Sequence, residues 1–314
     1  MNRRQFLAGA GITTLGTVTG YGGLRVADIR PYDPAPPTGE SPRESITAAA
    51  QHRHAADHRA VTKVRVLDDW IGETPYDLDV RKLWHEPSRR RHLHTLTTFE
   101  TPLTQSSRLA DAPDREYVTP HQTLWALLHY NRVLDDGYDL PLTNVRYITD
   151  GAWLYDHDAP TPAGDAVRVS DDRSGHIPNG DYERASKPVR RDLVRPHQTD
   201  WTRTAADDET ITYRVAGADT YAQVAPLPFA PISGFGDCWI EVTLDRKTGR
   251  LRRIVNNRAV DIDLQDGAGE RSLTYRIETD IDRYGDVRAR RPAGSVNGDL
   301  KSHVRALLFD LVNY

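Results

Sequence analysis

The stretch Cys238-Trp-Ile-Glu-Val-Thr-Leu-Asp-Arg-Lys-Thr-Gly-Arg-Leu-Arg-Arg-Ile-Val255 decides the fold class. Cys238, Ile240, Val242 and Leu244 alternate with other residue types, the period-two pattern of a half-buried strand. Asp245-Arg-Lys-Thr-Gly249 then reads as a hairpin loop, and residues 251–255 resume the strand. Upstream, Ile211, Tyr213 and Val215 alternate with polar neighbours, and Gly217-Ala-Asp219 turns the chain into residues 220–225. Downstream, Val260, Ile262 and Leu264, then Leu273, Tyr275 and Ile277, continue the pattern. Strands at this spacing, joined by short Gly/Asp turns, imply an antiparallel meander rather than a parallel α/β sheet.

The same rules apply further out. Ser41-Pro42-Arg43-Glu44 is a capping box with proline at the first helical position, which predicts a helix running through Ile46 to about His58. Residues 61–67 alternate as a strand, and strand-like runs follow near 78–84 and 91–99. Residues 119–134 read as a helix capped by Thr119, with Leu124, Leu127, Leu128, Asn131 and Leu134 along one side. Asp150-Gly151 separates two strand-like runs, the signal of a hairpin. Residues 156–205 show no clean period and are expected to form loops and short irregular pieces. Residues 299–312 read as an amphipathic helix, with Val304, Leu307, Leu308 and Leu311 on one face. The expected body is a single domain over 41–314, with a helical insertion near 100–140 and the closing helix 299–312.

Composition narrows the function. The chain has 314 residues, of which 27% are charged and 38% hydrophobic, too polar for a polytopic membrane protein. Basic residues number 41 against 45 acidic ones, for a net charge of -4, so nothing points to nucleic acid as a partner. The only cysteine, Cys238, excludes an intramolecular disulfide framework and cysteine-based zinc or iron–sulfur sites. Its place in an apolar strand phase makes it a buried structural thiol rather than a nucleophile.

At the N-terminus, Arg3 and Arg4 are followed after one residue by Phe6 and Leu7, and then by an uncharged stretch to Leu24. This reads as a twin-arginine export signal over 1–24, with the twin-arginine export machinery as partner. The stretch is too polar and glycine-rich to span a membrane. Residues 25–40 form a spacer, proline-rich and extended toward its end. The protein is therefore expected outside the cytoplasm, secreted or at the cell surface, and exported folded.

Templates for catalysis fail. The chain has no Gly-x-Ser-x-Gly, no His-Glu-x-x-His, no phosphate loop and no Gly-x-Gly-x-x-Gly. No catalytic residue and no cofactor is assigned. Among the 12 histidines, His54 and His58 stand four apart, with His52 and Asp57 nearby. Arg53 and Arg59 would oppose a cation there, so a solvated helix end beside the negative dipole terminus is the simpler reading. His92 and His94 share a strand face with no third ligand indicated, and no metal site is assigned. A tight cluster of histidines and carboxylates in one cleft would promote these residues to functional ones. The ligand-site candidates are instead aromatic: Trp84, Trp125, Trp153, Tyr155, Tyr213, Tyr221, Trp239 and Tyr275. On the concave side of a curved sheet they would line an apolar pocket.

The order of features carries a resemblance. A leading helix and strand precede Trp84-His85-Glu86-Pro87 with Arg91, then Thr149-Asp-Gly-Ala-Trp-Leu-Tyr-Asp156, then Val242-Thr-Leu-Asp-Arg-Lys-Thr-Gly-Arg250. Ile281-Asp-Arg-Tyr-Gly-Asp-Val287 and Arg291-Pro292 follow. Over roughly residues 41–292 this resembles the lipoprotein-carrier superfamily typified by LolA and LppX, including its secreted archaeal relatives. The resemblance implies an α+β fold in which a curved antiparallel sheet, a half-barrel, is covered by helices around a cavity that holds acyl chains. Two departures stand out: the lipobox cysteine of anchored relatives is missing, and residues 100–140 add a helical insertion at the cavity mouth. The function expected is an exported, non-enzymatic protein that binds a hydrophobic ligand. The alternatives are a cell-surface structural or interaction protein with a filled core, or a secreted hydrolase or metal enzyme.

Overall fold

A computed structural model describes residues 34–68, 75–89, 91–99, 142–149, 153–160, 168–169, 193, 195–225, 232–264 and 269–290. The expected signal, most of the spacer, the 119–134 helix and the closing helix at 299–312 lie outside these residues.

Helix α1 (Pro42–Ala55) starts where the capping box places it. Ser41 Oγ accepts from the Glu44 amide, and the Glu44 carboxylate accepts in return from the Ser41 amide, at 3.3 Å each. Two of the backbone donors that a helix start leaves open are thereby satisfied. Replacing Ser41 with alanine is expected to cost about 1 kcal/mol, read as a lower midpoint in urea unfolding. Ile46 and Ala49 anchor the buried side of α1.

Among the described residues, twelve strands form one sheet. In chain order they are β1 (His58–Val66), β2 (Tyr76–Glu86), β3 (Arg91–Thr98), β4 (Leu142–Thr149), β5 (Trp153–Pro160), β6 (Arg168–Val169), β7 (Thr202–Ala206), β8 (Thr210–Ala216), β9 (Ile232–Phe235), β10 (Trp239–Asp245), β11 (Leu251–Leu264) and β12 (Gly269–Asp282). Their spatial order is β6-β5-β4-β3-β2-β1-β12-β11-β10-β8-β7, with β9 also paired to β11. Every pairing is antiparallel. Two meanders thus meet at one seam, where β1 pairs with β12 from Arg59↔Asp282 to Val66↔Tyr275.

Among the described residues the sheet stays open, with β6 and β7 at its two ends. Register shifts at Val64/Arg65, Thr243/Leu244 and Arg203/Ala205 bend the strands locally. A helix, α2 (Ala218–Val224), joins α1 on the core face. This is the α+β half-barrel class expected from the strand pattern and the resemblance.

Alternation selects the core face. Ala60, Val64 and Val66 of β1, Tyr213 and Val215 of β8, and Ile240, Val242 and Leu244 of β10 are all buried. Many of them join Ile46, Ala49, Tyr221 and Val224 of the two helices in one cluster. Cys238 belongs to it and is fully buried, its Sγ donating to the Ala259 carbonyl at 3.1 Å. Burial pushes its thiol pKa up, as suits an unreactive sulfur. The loop after β10 closes as its sequence suggests. Asp245 Oδ1 accepts from the amides of Lys247 and Thr248, and Gly249 takes φ 67°, a conformation costly for other residues.

Two expectations need correction. Residues 220–225 follow a strand run, yet they fall within and just after α2. Gly217, at φ 94°, reverses the chain and Tyr221 turns its ring inward. Within 156–205, β5 extends to Pro160, and β6 and β7 add short strands. Cross-strand pairing supplied the order that the local pattern lacked.

Candidate functional site

The motif Trp84-His85-Glu86-Pro87 ends β2 and enters a 3-10 turn at Pro87–Arg89. That turn is clasped from two sides. Asp57, between α1 and β1, accepts from the Ser88 amide at 2.9 Å and from Ser88 Oγ at 2.6 Å. Glu86 accepts from Arg89 at 2.6 Å and from the Ala289 amide at 3.1 Å. Burial raises the Glu86 pKa, with Arg89 acting in the opposite direction. The clasp ties α1, β2 and the segment after β12 together at the sheet seam.

Beside the clasp runs a line of imidazoles. Strand register sets His58 opposite His85, and His85 opposite His92. The ring centroids lie 5.2 Å apart for His58–His85 and 5.8 Å for His85–His92. His54 of α1 stacks on His85 at 6.1 Å and 12°, and His94 follows His92 at 6.4 Å. Tyr284 closes the other end, 5.7 Å from His58 and 5.6 Å from His52. The helix end is therefore not solvated as its polar sequence implies, because α1 lays it onto β2. His52, His58, His85 and His92 are all buried.

Hydrogen bonds assign the protons. His85 Nε2 donates to the His54 carbonyl at 3.1 Å, and His58 Nδ1 donates to the Ala56 carbonyl at 2.9 Å. His58 Nε2 is then the acceptor facing Arg53 Nε at 3.4 Å. A proton added there would set N–H against N–H. Burial holds both imidazoles well below the ordinary histidine value. Arg53 pushes His58 further down, and His92 does the same to His85. Among the described residues, no group of three His, Cys, Asp or Glu side chains is arranged to hold a metal ion.

On the other side of α1, the helix, the 3-10 turn Pro196–Gln198 and β11 enclose a groove of about 270 Å³. Its buried wall is apolar, made by Leu193, Pro196, Leu251 and Ile254, with Ala50 beside them. Its polar wall carries Arg53, His54, Arg195 and His197. Arg195 sits at φ 49°, an uncommon place for a non-glycine residue and more so before proline. Trp201 holds the turn in place, its Nε1 donating to the Pro196 carbonyl at 3.0 Å. An ion pair between Arg43 and Asp200 ties the following segment to the start of α1.

Of the aromatic candidates whose side chains are described, Trp84, Tyr213, Tyr221, Trp239 and Tyr275, none lines this groove. Tyr213 and Tyr221 are buried in the core cluster. Tyr275 is buried on the same face, where its hydroxyl accepts from Arg258 at 3.2 Å. Trp239 lies on the opposite face, its ring between Arg214 at 4.3 Å and Arg276 at 5.5 Å. Trp84 shares that outer phase, opposite Arg59 and Leu93 in register. Trp153 and Tyr155 lie in β5, paired with Thr149 and Tyr147, and Trp125 lies outside the described residues. Arg195 and His197, which line the groove, fall in the segment read as loops. The one sequence signal there is proline after arginine, a bias for the backbone and not for chemistry.

No family model matches the chain, and no curated protein matches it. Among solved structures, it is similar to LprF from Mycobacterium bovis, at 12% identity and a TM-score of 0.36, over 83% of this chain and 100% of that one.

Proposed function

We propose that this protein is exported by the twin-arginine route and holds an apolar ligand of the lipid class without transforming it. The observation that carries this reading is the groove between α1 and β11, where Leu193, Pro196, Leu251 and Ile254 form a buried apolar lining, with Arg195 and His197 exposed at its edge. Its position between helix and sheet is where the resemblance to the LolA and LppX superfamily expects a ligand. Arg3, Arg4, Phe6 and Leu7 supply the export reading.

Native mass spectrometry of protein purified from its own exported fraction, followed by solvent extraction, tests it. A near-stoichiometric apolar molecule released by the solvent is the expected result. A clean unliganded mass that stays unliganded after lipid challenge would overturn it. Trp239→Ala separates the groove from the aromatic outer face. Retained binding is expected, whereas lost binding in a folded variant would move the site to that face.

One observation favours a second reading, a cell-surface structural or interaction protein. Beneath α2 the core face is filled: Tyr221, Tyr275 and Ile240 are each 0% exposed. The groove is also smaller than most sites for drug-sized ligands, which span about 300–1,000 Å³. The unliganded mass would select this reading.

A further inference from the structure

The C-terminal half of α1 faces two ways. Toward the groove it presents Thr47, Ala50, Gln51 and His54. Toward β1 and β2 its end is held by two imidazoles. His85 Nε2 donates to the His54 carbonyl and His58 Nδ1 to the Ala56 carbonyl, both acceptors that a helix end leaves open. The helix terminus is thus closed by buried rings instead of water.

A neutral imidazole has one N–H to give, and both rings have spent theirs. The second nitrogen of His58, Nε2, faces Arg53 Nε at 3.4 Å. That of His85, Nδ1, is buried and meets no hydrogen-bond partner among the described residues. A proton on either nitrogen therefore creates a buried N–H without an acceptor, that of His58 set against a guanidinium. Other charges come from every side. Helix α1 brings His52, Arg53 and His54, β3 brings His92 with Arg91 and His94 beside it, and Tyr284 follows β12 with Arg250 over its ring. The adjacent carboxylates, Asp57 and Glu86, accept from Ser88, Arg89 and the Ala289 amide. Burial first, then Arg53 and the neighbouring histidines, oppose a positive charge on His58 and His85. The negative end of the α1 dipole favours a cation there, but Arg53 in the same turn already supplies one.

We propose that His58 and His85 form a proton-operated latch on the groove: protonation lifts the last turn of α1 from β1 and β2 and opens the groove for release. The proposal rests on the ligand-binding reading and adds its regulation. Lifting residues 52–55 gives both nitrogens to water and parts Arg53 from His58. It also draws His54 out of the groove wall. The latch is closed at neutral pH and opens in acid.

The test compares the full chain at about pH 7.5 and about pH 5.5, either side of the ordinary histidine value. Each histidine that protonates only in the open state raises the opening constant about tenfold between those values. Hydrogen exchange at amides 52–56, corrected for its intrinsic pH dependence, is expected to quicken by about that factor per histidine. The amides of β10 report global unfolding and are expected to exchange far more slowly at both pH values. N-phenyl-1-naphthylamine, an uncharged apolar fluorophore, serves as the probe of the groove. Its release after dilution is expected to quicken in parallel. His58→Asn and His85→Gln keep an amide N–H near each ring donor and take up no proton, so each is expected to remove about tenfold of the response.

Unchanged exchange at amides 52–56 in the unsubstituted chain would overturn the latch, whether or not the variants fold. Exchange there no faster than in β10 would overturn it too, since the opening would be global unfolding. Quickened exchange with unchanged probe release would overturn its control of the groove. No probe bound at about pH 7.5 would overturn the ligand-binding reading, while acid-quickened exchange at amides 52–56 would still support the latch.

Discussion

Acidification below about pH 6.5, the ordinary histidine value, is expected to destabilise this protein steeply. His58 and His85 are buried, hydrogen-bonded as neutral rings and held well below that value. In the unfolded chain the same residues take up protons at their ordinary value, so the unfolded state binds more protons than the folded one. Stability therefore rises with pH in this range. The contribution is fully present above the unfolded value and is lost as pH falls toward the folded ones. Each pH unit costs up to about 1.4 kcal/mol per histidine.

Glu86 acts with the opposite sign. Its folded pKa is raised by burial, so the folded state holds a proton that the unfolded chain has released. Its effect begins near its ordinary value of 4.5 and weakens the fold as pH rises above it. Where the two ranges overlap, Glu86 makes the acid loss shallower. Urea unfolding across this pH range measures the slope. The double variant His58→Gln/His85→Asn should start less stable at neutral pH but lose less with acid, flattening the slope by up to two protons. An unchanged slope would assign the acid sensitivity to other groups.

Asn256→Leu is the substitution expected to cost most, about 2–5 kcal/mol. Asn256 is buried on β11, and its Oδ1 accepts from the Tyr221 hydroxyl of α2 at 2.6 Å and from Arg258 Nε at 3.4 Å. Arg258 in turn donates to the Tyr275 hydroxyl on β12. Leucine fills similar space but strips an acceptor from a phenol and a guanidinium that are both buried, and each then carries an unmet desolvation cost. Asn256→Asp keeps the oxygen and places its charge beside Arg258, so its loss should be much smaller. Equal losses for the two variants in chemical denaturation would show that side-chain shape matters at this position more than the acceptor.

The two predictions differ in how far the sequence shows their basis. At position 240 the alternation of Cys238, Ile240, Val242 and Leu244 already defines the buried face. By the same arithmetic Trp239 belongs on the other one, so the aromatic candidates were separable before any pairing was known. Asn256 shares a strand face with Ile254, but nothing local shows that Tyr221 would reach it. Residues 220–225 follow a strand run, and the short helix there forms because its ring can be buried, a tertiary gain that no window of propensity contains.

The histidine run is less visible still. His58, His85 and His92 are unremarkable singly, and the helix end at His52 and His54 looks solvated because its neighbours are charged. Only register makes them adjacent, since a slip of one residue would send each ring to the opposite face.

By itself, the sequence determined what short-range physics controls. The capping box starts α1, Asp245 and Gly249 close the hairpin, and period-two alternation makes the C-terminal half an antiparallel meander. Each rests on hydrogen bonds or torsional preferences between residues a few positions apart. The tertiary structure decided what depends on distant partners: the seam of β1 with β12, the alignment of the histidines, and the packing of the turn Pro196–Gln198 against α1. Those pairings close long loops, and their free energy comes from burial that exists only once the whole sheet has assembled.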